Sequence, residues 1–219
     1  MKTIALAAAL LAATLAAAPA SAADQLVEPS TEVKFEKAPT IDGKPYLCLG
    51  TGLRKKAFFK VYAIVYCLEE AAGRPALAKL LEGNAKSASD LADDSEFFKK
   101  LVALPVDKAA EMVFVRDVGK EKMKDAFEES LTKALGKAEK PRIDAFLTAN
   151  MDKDLKSGDH MILRTKPSGE ITVGLAGALK TSTDPILAPA VWMPYLGPDS
   201  VAPSLKKSVA EGALAAVKK

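Results

Sequence analysis

Leu49-Gly-Thr-Gly-Leu-Arg-Lys-Lys-Ala-Phe-Phe-Lys-Val-Tyr-Ala-Ile-Val-Tyr-Cys-Leu68 is the stretch that decides the fold. Its second half, from Val61 to Leu68, carries no charge and is rich in β-branched and aromatic residues. That composition predicts a strand covered on both faces. Two strand-like runs, Tyr46–Leu53 and Phe58–Leu68, then make a hairpin. Gly50-Thr51-Gly52 starts like a dinucleotide loop, but Lys55 stands where the third glycine belongs and no helix follows. The glycines are better read as a bulge or a close backbone approach. Arg54 sits inside this otherwise apolar hairpin. A guanidinium drawn towards a core must be paired or face a cavity that holds an anion. The alternative is that it points to water beside Lys55 and Lys56.

Outward from the hairpin, Val33 and Phe35 alternate with charges, and Pro39 to Gly43 marks a turn. From Glu69 to about Lys100 the chain turns helical, with Gly83-Asn84 between two pieces. Met112–Val118 reads as another buried strand. Gly119 to Gly136 is an amphipathic helix with Met123, Phe127, Leu131 and Leu135 on one face. Pro141–Met151 reads as a further helix, and His160–Thr165 with Glu170–Leu175 as a second hairpin. The remainder reads as helical, with a break at Pro194–Pro203 and a last helix carrying Leu205, Val209, Ala213 and Leu214. Strands and helices mixed in one unit make an α+β domain.

At the N-terminus, Met1-Lys2 precedes an apolar run from Ile4 to Ala18, and Pro19-Ala20-Ser21-Ala22 supplies small residues at a cleavage position. Residues 1–22 therefore read as a secretory signal peptide cut between Ala22 and Ala23, which places the protein in the periplasm or outside the cell. The run is about 15 residues, short of the roughly 20 that span a bilayer. No later stretch approaches that length, so an integral membrane protein is not expected. Residues 23–30 read as a flexible tail and 31–217 as one domain.

The counts exclude several chemistries. Lys and Arg number 31 against 28 Asp and Glu, a net +3 that is too small and dispersed for a nucleic-acid surface. One histidine, His160, excludes a multi-histidine metal site, and two cysteines exclude a four-thiolate one. His160 reads as structural or solvent-facing, because no nucleophile motif surrounds it. Asp93-Asp94 and Glu128-Glu129 are spaced as solvated helix faces. No metal and no cofactor is expected.

The hairpin resembles the signature of the chalcone isomerase superfamily: a Gly-x-Gly-hydrophobic-Arg strand followed by a Lys-hydrophobic-x-Ala-Ile-type strand ending in Tyr and Leu. The resemblance continues through Met112–Val118 and its helix, Ser157–Leu163, Pro167–Val173 and Leu196–Pro203. It implies a large antiparallel sheet with a layer of helices on one face, an open-faced β-sandwich, and a ligand cleft between the layers. The superfamily contains both isomerases and non-catalytic fatty-acid-binding members. In the isomerases an Arg holds the phenolate nucleophile while polar groups activate the ketone. Arg54 matches that Arg. The Thr of the next strand is replaced by Tyr62, the Tyr of the following helix falls at Met123, the later Asn at Ser130, and a Thr-type position near Pro194 or Tyr195. Losing donors that stabilise developing charge, each worth a few kcal/mol, argues against chalcone turnover.

The resemblance to the fatty-acid-binding branch, which keeps Arg and places Tyr at the position of Tyr62, implies a carboxylate clamp made by those two residues. Phe59, Ile64 and Met123 would then help line a tail pocket, with Ser130 and Tyr195 nearby. The expected partner is a fatty acid or similar small amphipathic organic acid. An isomerase or intramolecular lyase in which Arg54 and Tyr62 orient an enone is the alternative. A structural protein whose cleft is filled by its own side chains is the third. Strand parity adds a constraint. Cross-strand partners in a regular hairpin keep a constant index sum. Arg54 and Tyr62 share a face only if that sum is even, whereas a Cys48–Cys67 disulfide, plausible in an oxidising compartment, needs it odd. A bulge at Gly50 or Gly52 would reconcile the two.

Overall fold

The computed structural model describes residues 25–83 and 86–218. The signal-peptide reading of residues 1–22 lies outside them. In chain order the elements are β1 (Gln25–Val27), β2 (Lys34–Glu36), β3 (Thr40–Ile41), β4 (Lys44–Lys56), β5 (Phe59–Glu69), α1 (Glu70–Leu80), α2 (Ala88–Ala92), α3 (Ser95–Ala103), β6 (Lys108–Phe114), α4 (Lys120–Leu135), α5 (Lys140–Asn150), β7 (His160–Thr165), β8 (Glu170–Leu175), β9 (Ala178–Thr183), α6 (Leu187–Ala190), α7 (Met193–Leu196) and α8 (Pro203–Val217). Strands β3 to β9 form one antiparallel sheet in sequence order, the simplest meander. The fold is α+β, as the hairpin implies.

Alternation along the central strands sorts side chains into two cores. Tyr62, Ile64, Tyr66 and Leu68 of β5, with Ala110, Met112 and Phe114 of β6, pack under the helices with Phe127, Leu131, Trp192 and Leu205. The residues between them, Ala63, Val65, Cys67 and Ala109, join Phe35, Tyr46 and Cys48 in a smaller core on the other face. This explains the uncharged run in β5: both faces are covered, and each residue from Tyr62 to Leu68 is buried. The segment read as a tail contributes to that second face. Gln25 to Val27 pairs with Lys34 to Glu36, and the Glu28 carboxylate accepts from the N–H of Thr31 at 2.8 Å.

Three elements differ from the sequence expectation. The third long strand runs from Lys108 to Phe114, four residues earlier than the apolar pattern suggests. Its first residue is a lysine that is only 5% exposed, and Val118 survives as an isolated bridge to Leu155. The segment after Leu175 continues as strand β9, which pairs with β8 from Glu170↔Thr183 to Leu175↔Ala178. It is a polar sheet edge with no apolar alternation to reveal it. The stretch after Glu69 forms three helices, each closed at its start by a side chain: Glu69, Ser87 and Asp94 accept from N–H groups of α1, α2 and α3. Among the described residues no helix is long and apolar enough to cross a membrane.

Helix α8 covers the part of β4 that β3 does not reach. Thr51 N–H donates to Ser208 Oγ at 3.1 Å and Leu53 N–H to Ser204 Oγ at 3.0 Å, so helix hydroxyls complete the sheet edge. The approach explains the glycines. A Cβ on Gly50 would stand 2.5 Å from the Ser208 backbone, one on Gly52 2.5 Å from Leu205, and one on Gly212 1.7 Å from the Leu49 carbonyl oxygen. Close backbone contact, and no phosphate loop, is what Gly50-Thr51-Gly52 encodes.

Candidate functional site

The parity conflict is resolved by one surplus residue. Cys48 lies opposite Cys67 and Gly50 opposite Tyr66, leaving Leu49 as the bulge. Cys48 and Cys67 are disulfide-bonded on the outer face, while Arg54 lies opposite Tyr62 on the helix-facing side. The bulge falls on Leu49 itself, whose side chain packs into the helix-side core. Neither Gly50 nor Gly52 supplies it, because both are held against α8.

Arg54 is half-buried at the mouth of a cleft of about 420 Å³ between the end of β4, the flank of α4 and the loop that joins α7 to α8. Its Nη1 donates to the carbonyl of Val201 at 3.4 Å, a weak bond that leaves most of the guanidinium fork open. Arg54 forms no ion pair among the described residues. The opposite wall is the α4 face that includes Lys122, Asp125, Glu129, Ser130 and Lys133, and Met193, Pro194 and Val201 add apolar surface. Ser130 Oγ donates to the Ala126 carbonyl at 2.9 Å and keeps its lone pairs for a donor in the cleft.

Behind Arg54 lies a pair of buried phenols. The hydroxyls of Tyr62 and Tyr195 are hydrogen-bonded, and Tyr195 Oη lies 3.5 Å from Met112 Sδ. Burial pushes both phenols above their ordinary range. For Tyr62 the bond from Tyr195 and the charge of Arg54 act in the opposite direction. Both rings are fixed by aromatic neighbours, Tyr62 against Phe114 and Tyr195 edge-on to Phe127. The Tyr66 hydroxyl, four residues further along β5, is buried with no hydrogen-bond partner among the described residues, and its ring meets Trp192 edge-on.

The seven residues singled out from sequence therefore separate. Arg54 and Ser130 line the cleft. Tyr62 and Tyr195 are buried behind Arg54 and do not line the cleft. Met123 and Ile64 are core residues, Ile64 lying opposite Met112 in mid-sheet. Phe59 is not brought to the cleft at all. It is 50% exposed at the hairpin tip, with the Arg116 guanidinium 4.6 Å from its ring centroid. Of the α4 wall, the sequence points only to Ser130, because the charges of Lys122, Asp125, Glu129 and Lys133 are those of any solvated helix face. His160 lies far from this site in kind: it is exposed on the sheet, with Nδ1 2.6 Å from Glu111 Oε1.

Residues 32–215 match the family model described as chalcone-flavanone isomerase. Among curated relatives, the chalcone–flavanone isomerase of Oryza sativa subsp. japonica is 29% identical over 191 residues, covering 78% of this chain and 81% of that protein. The enzyme of Camellia sinensis is 27% identical over 189 residues, with the same two coverages. Among solved structures, a fatty-acid binding protein of Arabidopsis thaliana superposes with a TM-score of 0.72 at 20% identity, covering 89% of this chain and all of that one. That likeness is one of fold.

Proposed function

The chain belongs to the chalcone-flavanone isomerase family, and we propose that it is a non-catalytic member which holds a small amphipathic carboxylate on Arg54. The observation that carries this reading is the half-buried, ion-pair-free guanidinium at the cleft mouth. A fork of donors in a partly desolvated place is suited to bidentate contact with a carboxylate. Met193, Pro194 and Val201 give an apolar surface for the start of a chain. A cleft of about 420 Å³ lies at the small end of ligand sites, which favours a medium-length acid. Tyr62 and Tyr195 are buried and hydrogen-bonded to each other, and neither is among the residues that line the cleft. This argues against ring closure, where donors must meet charge that develops on the substrate.

The curated relatives carry the isomerase name, and this favours a second reading in which Arg54 orients an enone. Calorimetry with decanoate and absorbance assays on chalcone-type enones separate the two. Binding without turnover is expected. Arg54→Ala should weaken decanoate by roughly 10- to 100-fold, the value of a charged hydrogen bond, and Tyr62→Phe by much less. Unchanged affinity in Arg54→Ala would sink the assignment, and enone turnover would establish the alternative. Export to an oxidising compartment is part of the same proposal. The Ala-rich leader and the Cys48–Cys67 bond support it, and N-terminal sequencing of the exported protein should begin at Ala23.

A further inference from the structure

The tip of the β4–β5 hairpin is the most apolar exposed point described. Phe58 is 82% exposed and Phe59 50%, and their rings pack on each other at 4.5 Å. Ala57 turns the chain with φ 53°. Cations ring the pair: Lys55 and Lys56 precede it, Lys60 follows, and Arg116 lies over Phe59. From Pro45 to Leu68 the hairpin holds no acidic residue. None of these four cations enters an ion pair among the described residues. Two aromatic rings held out in water cost free energy that their mutual contact and the Arg116 guanidinium return only in part.

We propose that this tip docks onto an anionic lipid bilayer, with Phe58 and Phe59 entering the headgroup boundary and the four cations facing the lipid phosphates. Aromatic side chains flanked by lysines match the layered polarity of that boundary, apolar below and anionic above. Protein partners usually bury such rings in a pocket, whereas the positive charge gathered here, with Lys60 bonded only to the Ser30 carbonyl, is complementary to a negatively charged plane. Docking brings the ligand cleft to the membrane, since Arg54 and Lys56 line its mouth at the base of the tip. An amphipathic acid partitioned into lipid would then exchange with the cleft over a short path. The docking surface stands whether or not that cleft binds such an acid.

The test is flotation of the full chain with vesicles of phosphatidylcholine containing phosphatidylglycerol, compared with phosphatidylcholine alone. Wild type should float with the anionic vesicles and lose binding in high salt. Phe58→Ser/Phe59→Ser should weaken partitioning at least ten-fold. Lys55→Glu/Lys56→Glu should weaken it more than 25-fold, about five-fold for each cation lost. All variants share the same apolar N-terminal run, so differences between them report the tip. The tip is exposed, and unchanged thermal midpoints will verify that the fold is kept. The indole introduced by Phe58→Trp should shift to shorter emission wavelength on anionic vesicles. Tip variants that float like wild type, or an unshifted indole, overturn the proposal. So does a lipid-free dimer that Phe58→Ser/Phe59→Ser dissociates, since the tip would then serve a second copy of the chain.

Discussion

The chain has four tyrosines, Tyr46, Tyr62, Tyr66 and Tyr195, and every one is buried. Burial raises all four phenols, Tyr46 to about 12 and Tyr62, Tyr66 and Tyr195 in the same direction. An unfolded phenol titrates near 10. The folded state therefore keeps protons that the unfolded state gives up, and the stability held by these groups is full below pH 10 and lost above it. For one phenol with no folded-state ionisation, the loss at pH 11 is about 1.4 kcal/mol, and for four it is at most about 5.7 kcal/mol. A domain of this size has roughly 5–15 kcal/mol to lose. Unfolding should then set in between about pH 11 and 12.

The assay follows phenolate absorbance and far-ultraviolet circular dichroism on the same sample as pH rises. The expected result is no phenolate signal near pH 10, then one steep step, with all four tyrosines ionising as ellipticity is lost. Tyr62→Phe should remove a quarter of the amplitude and relieve about 1.4 kcal/mol of the loss at pH 11. A gradual titration centred near pH 10 with native ellipticity would refute the burial of the phenols, and with it the description of the site.

Three further perturbations test other parts of the fold. Reducing Cys48–Cys67, which closes a sequence separation of 19, should lower stability by about 3 kcal/mol in urea titrations, and identical curves with and without reductant would contradict the bond. Gly212→Ala should cost about 3 kcal/mol or more despite the better helix propensity of alanine, because the new methyl meets the Leu49 carbonyl, and a stabilised variant would show that α8 does not lie against β4. Lys108 donates to the Leu104 and Val106 carbonyls, and burial pulls its ammonium down to about 8. With its folded value below the unfolded one, its cost is full under pH 8 and fades by about pH 10.5. The stability advantage of Lys108→Met over wild type should accordingly shrink by about 2.5 kcal/mol between pH 7 and pH 10, and a constant difference would count against the charge being buried.

What could be read from sequence tracks how strongly burial constrains residue type. The uncharged run Val61–Leu68 of β5 and the four-residue period of α4 are required by two covered faces and by one, so they are plain in the chain. Strand β9 is a solvated edge held by backbone pairing to β8, which any polar residue can supply. Strand β6 was placed late because it starts on Lys108, whose charge suggests a loop although its stem is buried and its amine serves two loop carbonyls. Arg54 was legible as an anomaly, a charge in an apolar hairpin. Phe59 misleads for the opposite reason: an aromatic residue in a strand suggests a lining, yet its ring stands half exposed at the hairpin tip.

That register holds two shifts of opposite sense. Leu49 is the surplus residue on β4, and Val61 is the surplus on β5, between the pairs Arg54↔Tyr62 and Lys55↔Lys60. The block between them, Gly50 to Arg54 against Tyr62 to Tyr66, is thereby out of phase with both ends of its own hairpin. Inside the block, glycines face α8 while Arg54 and the phenols face the helix layer. Below it, Cys48 and Cys67 meet on the other side. Above it, Lys55 and Phe59 are exposed, while Lys56 stays with Arg54 at the cleft mouth. A single regular register would sacrifice one of these arrangements: an odd one gives up Arg54 beside Tyr62, and an even one gives up the disulfide. Two single-residue insertions let one hairpin bind its strands covalently, build the cleft wall and present the exposed tip.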